Sequence, residues 1–163
     1  DQIISLYTKE KGKLEVLARG VKKIISKNAA HLEPFSLVEA EIIQGKELAR
    51  LGAVQPINYF ANIRADLQKS LAAGYVVGLL NKILHEGEKD EKIFNLTLSW
   101  LEFINSQLLI TNYLLLLDDY IVSLLHCLGY DIQTVKASPS HDFIYKFLLF
   151  HTERKIKDWR LLF

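Results

Sequence analysis

The run Ile3-Ile4-Ser5-Leu6-Tyr7-Thr8-Lys9-Glu10-Lys11-Gly12-Lys13-Leu14-Glu15-Val16-Leu17-Ala18-Arg19 decides how the first third of this chain folds. Ile4, Leu6 and Thr8 alternate with Ile3, Ser5 and Tyr7, and after the turn Leu14, Val16 and Ala18 alternate with Lys13, Glu15, Leu17 and Arg19. A period of two is that of a strand, whose successive side chains leave opposite faces. The run predicts a β-hairpin, with Gly12 where a short loop asks for positive φ. A second strand pair is expected over 35–44 and 47–55, turned at Gly45-Lys46 and closed by Pro56. Four short strands with no helical pattern between them predict a small, mostly antiparallel barrel or sandwich.

From Asn58 the period becomes that of helices. Ile63, Leu67, Leu71, Tyr75 and Leu79 recur every four residues, widened by Val76, Leu80, Ile83 and Leu84 into a core-facing stripe. The polar run 86–92 ends it. A second helix is expected over 92–107 with Phe94, Leu98, Leu101 and Ile104 on one side, and a third, apolar almost all round, over 108–128 with Gly129 as its C-terminal cap. The last begins near Ser138-Pro139-Ser140 and carries Phe143, Phe147 and Phe150. The fold class is therefore α+β, with a strand domain over 1–57 and a helical domain over 58–163.

Composition limits the functional classes. Half of the 163 residues are hydrophobic, enough for one substantial core or two small ones. The net charge is only +1, so attraction to a polyanion has to come from local clustering. Lys9, Lys11, Lys13, Arg19, Lys22, Lys23 and Lys27 face only Glu10 and Glu15 across 8–27, while 31–57 leans acidic through Glu33, Glu39, Glu41 and Glu47. Cys127 is the only cysteine, which excludes an internal disulfide and fits a reducing compartment. The chain opens on Asp1-Gln2 without a signal-like apolar core, and Leu108–Leu117 is too short to span a membrane, so a cytoplasmic location is expected.

No catalytic constellation appears. The histidines at 31, 85, 126, 141 and 151 are scattered, no Gly-rich phosphate loop is present, and one thiol cannot close a structural zinc site. No metal or cofactor is expected. Asp118-Asp119 reads as a polar break in a buried helix, because adjacent helix positions diverge. Gly74-x-x-x-Gly78 reads as close helix packing.

The segments IISLYTKEKGKLEVLARGVKK (3–23), HLEPFSLVEAEI (31–42) and INYFANIRADLQKSLAAGYVVGLLNKIL (57–84) resemble, in order and spacing, the bacterial RecO family of recombination and repair proteins. The matching elements are Gly12-Lys13, Arg19-Gly20, Leu32 to Phe35, and Arg64 to Leu67, and the ending FIYKFLLFHTERKIKDWRLLF (143–163) also resembles the family's last helix and basic tail. The resemblance implies an oligonucleotide-binding (OB-fold) barrel, here lacking the family's first strand, followed by a helical domain. The four-cysteine zinc module of many members is missing, with only Cys127 in its place.

It further implies a non-enzymatic mediator that binds single- and double-stranded DNA, anneals strands, acts on DNA coated with single-stranded DNA-binding protein (SSB) and helps load RecA with RecR. A nucleoid-associated place in the cytoplasm follows from that role. The DNA-binding candidates are Lys11, Lys13, Arg19, Lys22, Lys23, Lys27 and Arg64. Lys13, Glu15 and Arg19 share a strand face, where clustered cations release counterions from a phosphate chain. Tyr7 offers either a stacking ring or a packing residue. Arg64 either pairs with a carboxylate or touches phosphate. Arg154, Lys155, Lys157 and Arg160 are either helix-terminal cations or a second contact. The acidic, aromatic-ended SSB tail is expected on the helical domain, either at Phe143, Phe147 and Phe150 with Arg154 and Lys155, or at Leu67, Leu71 and Tyr75 with Arg64 and Lys69. The rival expectation is a protein-interaction adaptor with little DNA binding.

Overall fold

The computed structural model describes residues 1–19, 32–46 and 48–163. The elements are β1 (Gln2–Thr8), β2 (Gly12–Ala18), β3 (Leu37–Ile43), β4 (Ala49–Asn58), α1 (Ala61–Ala65), α2 (Leu67–Ile83), α3 (Glu91–Ser106), α4 (Tyr113–Cys127), α5 (Ile132–Val135) and α6 (His141–Thr152), then a 3-10 turn, Trp159–Leu162. They form two compact units. One holds Asp1–Ala61 with Leu84–Asp90; the other holds Asn62–Ile83 with Glu91–Phe163.

In the first unit the hairpin has the expected register, Gln2 opposite Ala18 through to Thr8 opposite Gly12. Gly12 takes φ 67° at the turn, and the Thr8 hydroxyl accepts from Lys11 N–H and donates to Gly12 O. Val16, Ala18 and Val54 are buried on the inner face. The barrel expectation is corrected to a four-stranded open mixed sheet, ordered β1-β2-β4-β3. β4 runs parallel to β2 at Val16–Ala49 and Leu17–Arg50 and antiparallel to β3, which leaves β1 and β3 as edges among the described residues. Pro56 does not close β4. The strand continues to Asn58 because Pro56 has β3 alone beside it, and the ladder absorbs the missing N–H in a register shift between Leu37 and Val38.

The helical unit departs from the expected stripe in three places. Asp66 interrupts the first helix: its carboxylate accepts from Lys69 N–H and starts α2 anew. The buried face of α2 is Lys69, Ala72, Ala73, Val76, Leu79 and Leu80, whereas Leu67 is 75% exposed. Lys69 tolerates burial because its ammonium donates to Gln107 O, a carbonyl just past the end of α3. Gly74 and Gly78 are exposed, and a Cβ at either would meet nothing, so they are not a packing motif. The third helix begins at Tyr113, not at 108, because Asn112 Oδ1 accepts from Leu115 N–H at 2.9 Å and caps it there. Leu108 and Leu109 consequently lie in an exposed loop. α4 ends as expected: Gly129 has φ 90° and Tyr130 N–H returns to Leu125 O.

A polar network fixes the end of the chain to α4. Asp118, buried on α4, accepts from Trp159 Nε1 at 2.7 Å and faces His141 Nδ1 at 2.8 Å. His141 Nε2 lies 3.0 Å from Asp158 Oδ1, and Arg160 donates to Asp158 Oδ2 through Nε and Nη2. Trp159, fully buried, meets the rings of Tyr75, His141 and Tyr145. The Asp118 reading as a structural break thus becomes specific: it is the anchor of α6 and the 3-10 turn.

Two outcomes are expected. Gly74→Ala and Gly78→Ala should each raise stability by about 0.5–1 kcal/mol, a few degrees in Tm by thermal unfolding, since an exposed helical glycine costs backbone entropy and nothing blocks the methyl. The Arg160 guanidinium holds the Asp158 carboxyl at about 2, below its ordinary 3.8, against the upward push of partial burial. That stability is complete above pH 3.8 and is lost as pH falls toward about 2, so Asp158→Asn should flatten the acid limb of a stability curve between those values.

Candidate nucleic-acid interface

Strand parity sets the outward face of the sheet. On β2 it carries Lys13, Glu15 and Leu17, with Arg19 just beyond the strand. Register places Tyr7 opposite Lys13, Ser5 opposite Glu15 and Ile3 opposite Leu17, and Arg50 of β4 beside Leu17. Arg19 and Arg50 are exposed, as is Lys11 at the hairpin turn. Arg50 is the cation that sequence reasoning missed, because only the parallel β2–β4 pairing brings it to this face. Lys22, Lys23 and Lys27 lie outside the described residues.

The loop Leu84–Asp90 occupies the turn end of the hairpin. Gly87 N–H donates to Lys13 O at 2.9 Å, Lys13 Nζ donates to Leu84 O at 3.4 Å, and the Tyr7 hydroxyl donates to Asp90 O at 3.0 Å. Lys13 is therefore half-buried and partly committed to this loop, and Tyr7 has a packing and hydrogen-bonding role. Gly12 is required twice over, since a Cβ there would sit 2.0 Å from Glu88 O as well as at positive φ. Sequence reading took 86–92 only as a helix break.

The remaining candidates separate. Arg64 is half-buried in the last turn of the short α1 and not at the start of a long helix, so the cation sits at the end where carbonyls gather. Of the terminal cluster, Arg160 is paired with Asp158 and Asp142, whereas Arg154, Lys155 and Lys157 are exposed. Two shallow clefts lie in the helical unit. One, of about 310 Å³, is bounded by Ser123, His126, Cys127 and Asp131; the other, of about 260 Å³, by Phe103, Leu109, Leu115 and Asp119. Among the described residues no three His, Cys, Asp or Glu side chains gather as metal ligands, and no helix is long and apolar enough to cross a membrane.

The family model described as Recombination protein O N terminal matches residues 1–60, and that described as Recombination protein O C terminal matches residues 64–138. The chain belongs to the RecO family. Similar proteins named DNA repair protein RecO include one from Geobacter sulfurreducens, 32% identical over 105 residues, covering 64% of this chain and 43% of that protein. Another, from Geobacter metallireducens, is 30% identical over 135 residues, 78% of this chain and 55% of that protein. A third, from Caldanaerobacter subterraneus, is 28% identical over 130 residues, 80% and 52% respectively. The chain thus spans about half the length of the curated relatives it matches. The matched models and relatives are thus named for recombination and DNA repair. The two matches divide at 60–64, close to where α1 begins.

Because the loop rests on the hairpin that carries these cations, glycine substitutions report on its seating. Gly12→Ala should lose more stability in thermal unfolding than Gly87→Ala: both have positive φ, costing about 1–2 kcal/mol, but only at Gly12 does the methyl also collide with backbone.

Proposed function

We propose that this RecO-family chain binds single- and double-stranded DNA along the outward face of its sheet and serves a recombination mediator that anneals strands and, with RecR, loads RecA onto SSB-coated DNA. The observation that carries the DNA reading is that Lys13 and Arg19 of the hairpin and Arg50 of β4 share one sheet face, with Lys11 at the hairpin turn, beside the partly apolar row Ile3, Leu17 and Tyr7. Cations so placed displace counterions from a phosphate backbone, and apolar neighbours lower the cost of a base lying against the sheet. Lys22, Lys23, Lys27 and Arg64 are proposed as further contacts on the strength of family likeness. Annealing, RecR and RecA rest on that likeness alone.

For the SSB tail, the burial of Lys69 removes one of the two cations offered by the Leu67, Leu71 and Tyr75 group. The row on α6 keeps its materials. The Phe143 and Phe147 rings lie 6.1 Å apart, Phe147 meets the His151 ring in a tilted pair at 4.2 Å, Phe150 is largely exposed, and Arg154 is exposed past the helix end. An aromatic terminus and its carboxylates would find rings and a cation there. The adaptor reading has one observation in its favour, the exposed Phe103, Leu109 and Leu115 about the smaller cleft, a surface suited to protein and not to phosphate.

The deciding measurement is titration of labelled oligonucleotide at several salt concentrations. Replacing Lys11, Arg19 and Arg50 together by Ala should weaken binding alike for unrelated sequences. It should also reduce the salt slope by about 2 on a single strand, at about 0.7 per phosphate contact. Wild-type binding that ignores salt would favour the adaptor.

A further inference from the structure

The chain leaves α6 through Glu153, which adopts the left-handed conformation at φ 52° while its N–H returns to Leu149 O. The next residues, Arg154-Lys155-Ile156-Lys157, belong to no helix or strand. Three successive carbonyls of this irregular segment are nevertheless each held by a side chain. Lys82 Nζ of α2 donates to Lys155 O at 3.3 Å, the Tyr145 hydroxyl of α6 to Ile156 O at 2.9 Å, and the Tyr75 hydroxyl of α2 to Lys157 O at 2.8 Å. Burial pushes the Tyr75 hydroxyl well above its ordinary range, so it remains a donor throughout neutral pH. Ile156 is buried between two exposed lysines, so Lys155 and Lys157 both face solvent.

Lys82 and Arg154 are exposed as well, and none of these four cations forms an ion pair with a described residue. The contrast with Arg160, bound to two carboxylates, is direct. We propose that Lys82, Lys155 and Lys157, with Arg154, form a second phosphate-binding surface on the helical unit that takes the backbone of a nucleic-acid strand. Ile156, the one apolar side chain of the segment, is buried, so the segment itself presents charge. It should read phosphate without regard to sequence. The inference shares its ligand class with the DNA reading above but uses different residues, on a different unit.

The test uses the full chain. In the triple variant Lys82→Gln, Lys155→Gln, Lys157→Gln, position 82 keeps a donor and three charges are lost. Labelled oligothymidylate and a labelled duplex are titrated across salt concentrations. The slope should fall by about 2 on the single strand, and affinity at low salt by on the order of tenfold or more. Lys155→Glu with Lys157→Glu, which leaves the Lys82 contact in place, should move binding the same way even if the triple variant folds poorly. Lys146→Gln, an exposed lysine elsewhere on α6, should change little. A wild-type slope in the variants overturns the proposal. So does an equal effect per charge from Lys146→Gln, which would make the effect the protein's general field. Loss confined to the sheet variants removes this surface and leaves the sheet reading standing; loss confined to these lysines does the reverse. Loss of an acidic peptide without any change in DNA slope assigns the surface to a protein tail and also overturns it.

Discussion

The helical unit depends on one carboxylate. Asp118 receives Trp159 Nε1 and faces His141 Nδ1 from the middle of α4, a buried position where an unpaired charge would cost several kcal/mol. Both neighbours are supplied by the last quarter of the chain, so α6 and the 3-10 turn are tied to α4 by polar contacts as well as by the burial of Ile144, Leu148 and Trp159. His141 in turn lies between Asp118 and Asp158, with both ring nitrogens facing carboxylate oxygens. The path of residues 153–158 is fixed from both ends by these contacts. The exposure of Lys155 and Lys157 follows from it.

What could be read in advance was what local period and local caps determine. The β1–β2 hairpin, the positive φ at Gly12 and the end of α4 at Gly129 each depend on residues close in sequence, and each is present. Barrel against open sheet was not legible, because the parallel pairing of Val16–Leu17 with Ala49–Arg50 is a long-range choice that alternation does not encode. The face of α2 was legible in part, with Val76, Leu79 and Leu80 buried as expected but Leu67 and Leu71 exposed, for a related reason. Apolar residues surround it, so the Leu67–Leu71 stripe and the Ala72–Val76 stripe were equally good on paper, and a carbonyl of Gln107 makes burial of Lys69 acceptable. Over 108–112 hydrophobicity suggested helix, whereas the cap at Asn112 decided.

The candidate sites followed the same division. Cations near one another in sequence, Lys11, Lys13 and Arg19, were visible in advance, whereas Arg50 and Lys82 join their groups only through strand pairing and through a bond to a distant carbonyl. The four terminal cations looked equivalent in sequence. Folding separates them, neutralising Arg160 between Asp158 and Asp142 and leaving the other three in solvent.

That separation bears on how a chain of net charge +1 can hold a polyanion. A cation placed by a carboxylate loses most of its field to its partner, while one placed by a backbone carbonyl keeps its full charge, because the carbonyl is a dipole and not an ion. Lys82 is positioned in the second way, by Lys155 O, and Lys13 Nζ donates to Leu84 O. Each bond also orders a long, entropically costly side chain before any ligand arrives, so less ordering is left for the binding step. Local charge, not total charge, then sets the counterion release that drives association.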